Sequence, residues 1–273
     1  MVKKLFKYEF AAYLKTLIPF NIVLLSVALF TRLVQFFEIK IEGLEFIYDI
    51  AISLSTITYV ATIIACFAAV FVMAVIRFYR NLYTAEGYLS FTLPVTASQH
   101  ILVKLTTAVA LMGITLVTTI VSFAIATAGE LGVEIFKAAG YLFKKLIELA
   151  GINIWFYALE IFVLLVISFC VSVLFYYTCI SIGQLFKKNR VLGAVGVYFI
   201  FYFASQIISG IFMVAWNIAA LSLDFAAIAE FIEANITWLL HLLFIGGAVM
   251  YAAVGVAYFF VNRFIMSKKL NLE

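Results

Sequence analysis

Six long apolar runs dominate the chain, at residues 17–37, 50–76, 101–128, 154–183, 191–216 and 237–261. A helix needs about 20 apolar residues to cross about 30 Å of hydrocarbon, and each run meets that length. None alternates apolar and polar positions as a strand would, and backbone in lipid must satisfy its own hydrogen bonds, so the pattern predicts six membrane-spanning helices. The polar stretches between them have patterns of their own. In residues 1–16, Lys4, Lys7, Ala11 and Lys15 fall on one helical face and Phe6, Phe10, Tyr13 and Leu17 on another, the mark of a basic amphipathic helix lying in the membrane interface. Pro19 follows, at the start of the first run, where its missing N–H costs little. Residues 130–150 carry Leu131, Ile135, Ala139, Leu142, Leu146 and Ala150 on one stripe and most of their charges elsewhere, predicting an amphipathic helix outside the spans; residues 221–235 look like a shorter one.

Composition makes the class firmer. The chain is 67% hydrophobic and 12% charged, against about 45–50% and about 25% in soluble domains. The expected fold class is therefore all-α, a polytopic membrane protein forming one transmembrane domain over residues 1–273. Charge then orients it. With the N-terminus inside, 13 of the 18 basic residues fall on the cytoplasmic side, among them Lys3, Lys4, Lys7, Arg77, Arg80, Lys104, Lys187, Lys188 and Arg263; the outer side keeps Arg32, Lys40, Lys137, Lys144 and Lys145. The positive-inside rule selects both termini cytoplasmic. The net charge of +4 does not point to nucleic acid, because the basic residues are scattered among membrane-flanking segments. Cys66, Cys170 and Cys179 sit in apolar runs without a CxxC pair and read as packing residues.

Recognisable chemistry is scarce. The chain has no G-x-x-x-x-G-K-[ST] and no H-E-x-x-H, and His100 and His241 lie at opposite ends of the expected topology. Charges inside the spans are few: Arg32 lies near the outer end of the first and Glu160 about two turns into the fourth. Each is costly in hydrocarbon. One reading has Arg32 snorkelling to the headgroups and Glu160 pairing with a neighbouring polar group; another has them facing each other or lining an outer cavity. Ser53, Ser55, Thr56, Thr58 and Thr62 in the second span and Thr115, Thr118, Thr119 and Ser122 in the third serve either helix packing or a pathway lining. Ser205, Ser209 and Gly210 give the fifth span a small-residue face.

The segment from Arg77 to Lys104 is the most informative. Basic residues flank it, it holds Pro94, and its middle, residues 83–95, is neither apolar enough to span nor polar enough to be a slack linker. It reads as a short structured element on the cytoplasmic side where a partner docks. Its run Glu86-Gly87-Tyr88-Leu89-Ser90-Phe91-Thr92-Leu93-Pro94-Val95, followed by Lys104, resembles the EGYL-x-x-x-LP-[VS]…K signature of bacterial ABC-2 type transporter permeases, and Lys7-Tyr8-Glu9-Phe10 resembles their opening.

That resemblance implies a subunit of the bacterial cytoplasmic membrane that is not itself an enzyme. It binds no cofactor of its own, and ATP and Mg are used by a separate ABC ATPase. Two ATPases would join two permease copies, a homodimer surrounded by lipid. The loop between the second and third spans would carry the coupling helix, with Tyr83, Glu86, Gly87, Tyr88, Leu89, Phe91, Leu93 and Pro94 as the docking surface, and Tyr83, Tyr88 and Phe91 as exposed aromatic knobs. Arg77, Arg80 and Lys104 would hold the loop at the headgroups, and residues 184–190 would add a shorter contact. The amphipathic outer segments resemble those of exporters of amphipathic peptides such as the phenol-soluble modulins. Lipid or drug export fits the same apolar lining, as does a peptide-immunity protein that sequesters without transport. A membrane enzyme would have to rest on His100, His241 or Glu160.

Overall fold

The computed structural model describes residues 1–36, 45–92, 94–129, 133–134, 137–138, 140–142, 144–145, 154–186, 189–220 and 225–268. These residues form helices and no strand. In chain order the helices are α1 (Val2–Phe36), α2 (Glu45–Tyr83), α3 (Ala85–Thr92), α4 (Ala97–Ala126), α5 (Ile154–Gly183), α6 (Arg190–Ala220) and α7 (Phe225–Lys268). Six of them, all but α3, are long and apolar enough to cross a membrane. Most of the expected outer helix over residues 130–150 lies outside the described residues.

The helices overrun the apolar runs. α2 has 39 residues, about 58 Å at about 1.5 Å per residue. Apolar character is needed only across the hydrocarbon, whereas backbone hydrogen bonding carries the helix further at both ends. No break separates an interfacial helix over 1–16 from a first span. α1 is continuous, with Pro19 inside it. Pro19 removes the bond that the Lys15 carbonyl would accept, a loss that membrane helices tolerate. The reason for continuity is visible in burial: Glu9, Tyr13, Leu17, Asn21, Leu24, Ala28 and Thr31 are buried at steps of three or four residues, one unbroken stripe.

The chain divides into two compact units, residues 1–77 with 102–149, and residues 78–101 with 150–273. In the first, Leu24, Ala28, Tyr59, Cys66 and Ala126 form a core on α1, α2 and α4. The polar groups beside it are paired. Thr31 donates to the Ser55 carbonyl at 3.3 Å. Ser122 gives its proton to the Thr119 carbonyl at 2.8 Å, so Tyr59 must donate in the 2.9 Å bond to Ser122 Oγ. Most other hydroxyls here, including Thr58, Thr62, Thr118 and Thr119, bond back to a carbonyl of their own helix.

In the second unit α5 packs against both α6 and α7. The α5–α6 connection is tight. A Cβ on Gly183 would lie 2.5 Å from the Ala194 backbone nitrogen, and Asn189 takes a left-handed φ of 58°, a conformation Asn tolerates. α6 has only Val197 buried. α7 carries a non-helical residue at Asn235 (φ −122°, ψ 15°), which separates the turns over 225–234 from its long apolar part.

Candidate functional site

The Arg77–Lys104 segment holds an eight-residue helix, α3. It starts after Thr84, whose carbonyl accepts from Gly87 N–H at 2.7 Å. After α3, Thr96 and Gln99 make a reciprocal cap at the head of α4: Thr96 N–H donates to Gln99 Oε1 at 3.0 Å and Gln99 N–H to Thr96 Oγ1 at 3.4 Å. Local hydrogen bonding thus marks the start of α3 and the start of α4. Gly87 faces inward, while Glu86, Tyr88, Leu89, Thr92 and the following Pro94 are exposed, Leu89 at 74%. Leu93 lies outside the described residues. Arg80 pairs with Glu86 at 3.2 Å; both are exposed, so the pair contributes little to stability.

Two expectations for this segment need correcting. Tyr83 is not an exposed knob: it is 7% exposed, and its hydroxyl bonds to Ser181 Oγ at 2.7 Å. Phe91 is half-buried, its ring 5.8 Å from that of buried His100. The flanking cations also differ from expectation. Lys104, 5% exposed, donates from Nζ to Glu9 Oε1 at 2.7 Å, and Arg77 Nη2 lies 3.5 Å from Glu9 Oε2. The Arg77 guanidinium also sits 4.6 Å over the Tyr13 ring, a cation–π contact. These side chains turn into the first unit because one carboxylate on α1 compensates both, and burying any of them alone would be costly. Arg80 stays outward.

Arg32 and Glu160 belong to different units. Arg32 packs beside Gly129, whose φ of 125° and lack of a Cβ leave room for the guanidinium. Glu160 Oε1 bonds to His241 Nδ1 at 2.7 Å, joining α5 to α7. Tyr157 stacks on the His241 ring at 4.5 Å and donates its hydroxyl to the Thr237 carbonyl at 3.3 Å. Glu160 thus pairs with a neighbouring polar group. Trp155 and Trp238, both exposed, lie five and three residues before Glu160 and His241, which puts the pair about one to two turns from the aromatic level typical of a membrane interface. Among the described residues no three His, Cys, Asp or Glu side chains gather into a group that would hold a metal.

Between α5, α6 and α7 runs an open groove of about 840 Å³, lined by aromatic and apolar side chains with Ser172 and Ser205 among them. Its walls are tied together by rings: Tyr176 stacks on Tyr198 at 5.7 Å, and Phe175 meets Phe201 edge-on at 5.8 Å. The groove brings together an aromatic surface, a few hydroxyls and no ionisable acid or base of the Asp, Glu, Lys, Arg or His type.

No family model, curated protein or solved structure matches this chain. Its function has to be argued from its own residues.

Sequence reasoning did not find Glu9 as the counter-charge, His241 as the partner of Glu160, or Asn262 as a buried polar centre. The signals were present. Glu9 is the sole acid before Glu38, and His241 and Glu160 lie at similar distances from the same ends of their runs.

Proposed function

We propose that this chain is the permease subunit of an ATP-driven ABC exporter of the bacterial cytoplasmic membrane, with both termini cytoplasmic. A separate ATPase would dock on α3, and the cargo would be an amphipathic molecule, a peptide of the toxin or antimicrobial type. The observation that carries the reading is α3 itself: an eight-residue helix between two long apolar helices, presenting Tyr88 and Leu89 outward from a run that resembles the ABC-2 signature. Apolar side chains so exposed on a short interhelical element suit a partner surface. The chain has no P-loop, so the motor must be another polypeptide. The groove on α5, α6 and α7 supports the cargo class, because aromatic rings and isolated hydroxyls suit a molecule with one greasy face and one polar face better than a sugar or an ion.

Purification in mild detergent is expected to bring down a P-loop ATPase in equal ratio. Tyr88→Ala with Leu89→Ala is expected to weaken that association at least about tenfold, the effect of losing one small apolar hot spot, with the melting profile of the permease unchanged. Undiminished ATPase binding by the folded double variant removes α3 as the docking surface.

A further inference from the structure

The chain passes from one unit to the other between Arg77 and Phe78 and returns between Ile101 and Leu102. The excursion, residues 78–101, belongs to the same compact unit as residues 150–273. The side chains that hold it there form one buried array. On α5, Leu174, Tyr177, Thr178 and Ser181 are spaced i, i+3, i+4 and i+7, and all are buried. Phe78 lies flat on Tyr177, ring centres 3.7 Å apart and planes 6° from parallel, and Tyr83 meets Phe78 edge-on at 5.7 Å.

Next to the rings runs a hydrogen-bond chain whose direction is fixed by proton accounting. Ser181 has one proton and gives it to Asn262 Oδ1 at 2.6 Å. Tyr83 must therefore be the donor in its 2.7 Å bond to Ser181 Oγ. Thr178 gives its proton to the Leu174 carbonyl at 2.8 Å, so it accepts from Asn262 Nδ2, also at 2.8 Å. The other Asn262 N–H goes to the Tyr258 carbonyl at 2.8 Å. Asn262 is fully buried, and every polar atom it has is used. A satisfied network of this kind is rigid, and breaking it anywhere leaves a buried group unpaired.

We propose that Tyr83, Ser181 and Asn262 are positioning residues that fasten α3 to the α5–α7 bundle. Tyr83 is the last residue of α2 and stands two positions before α3, so α3 cannot shift without straining its bond to Ser181. A push or pull on α3 is then delivered to α5 through Ser181 and Tyr177 and to α7 through Asn262. The origin of that force in a docked ATPase rests on the function proposed above; the fastening itself does not.

Hydrogen exchange of the full-length chain in nanodiscs tests the fastening without any ATPase. Tyr83→Phe and Ser181→Ala each remove one hydroxyl with little change of shape. Each is expected to speed exchange of the α3 amides about tenfold, the weight of one buried hydrogen bond, and to leave most of α5 and α7 as protected as before. Tyr59→Phe, which removes the analogous hydroxyl in the other unit, is expected to leave α3 unchanged. Unchanged α3 exchange in both variants, or equal loosening of α3, α5 and α7, overturns the proposal. With the ATPase present, the same variants are expected to keep its binding and lose transport per ATP. If instead the Tyr88→Ala, Leu89→Ala chain still binds ATPase while Tyr83→Phe loosens α3, the docking reading fails and the fastening stands.

Discussion

At the scale of single residues, polar groups in the apolar helices matter most when one serves several others. Glu9 answers Lys104 and Arg77 at once. Glu9→Gln keeps the shape and removes the charge, leaving two cations, one of them almost fully buried, without their common counter-charge. It is expected to cost about 3 kcal/mol, read as a lower melting temperature in detergent, and Lys104→Met in the same chain is expected to recover part of the loss. Glu160 and His241 form a single pair and are partly exposed, so Glu160→Gln is expected to cost less, about 1–2 kcal/mol, by the same measurement. These partnerships were hard to read from the chain because they depend on helix rotation. Arg77 and Lys104 flank apolar runs, and a cation in that place ordinarily meets headgroups. Only the buried stripe of α1, with Glu9 in register with Tyr13 and Leu17, draws them inward.

Among the elements, the number and type of helices were legible, since an apolar run of bilayer length has one backbone solution. Their ends were not. Hydropathy falls away before the hydrogen-bond ladder does, so α1 absorbs the expected interfacial helix and α7 continues to Lys268. The short α3 was foreseen as a structured element, but its orientation was not, because nothing local sends Tyr83 inward; its acceptor, Ser181, lies on a distant helix. The α5–α6 connection gives an element-scale prediction. Gly183→Ala would press a methyl group against the Ala194 backbone, and backbone at a helix start cannot yield as a side chain does. The variant is expected to lose about 1–3 kcal/mol, seen as a lower melting temperature and as faster proteolysis at the α5–α6 turn.

For the whole molecule, the six apolar helices make a multi-pass membrane protein, and the distribution of lysine and arginine is the ground for the cytoplasmic termini proposed above. A maleimide that cannot cross membranes is expected to label Leu89→Cys in opened vesicles and not in intact cells; labelling of intact cells reverses the topology. The division into two units was not legible, because it does not follow the order of the spans. Residues 78–101 are packed with helices that come much later in the chain.

That arrangement has a consequence during synthesis. The ribosome delivers Phe78 and Tyr83 to the membrane long before it makes α5 and α7, so the inward-facing rings and hydroxyl of this segment meet Tyr177 and Ser181 only when α5 is made, and the hydrogen-bond chain closes only once Asn262 has been translated. A nascent chain halted before α7 would leave Ser181 and Thr178 without Asn262 and the segment less firmly seated, open to chaperones and to membrane-bound proteases. Nonsense variants that end between α6 and α7 are therefore expected to be degraded as whole chains, not to persist as stable five-span fragments.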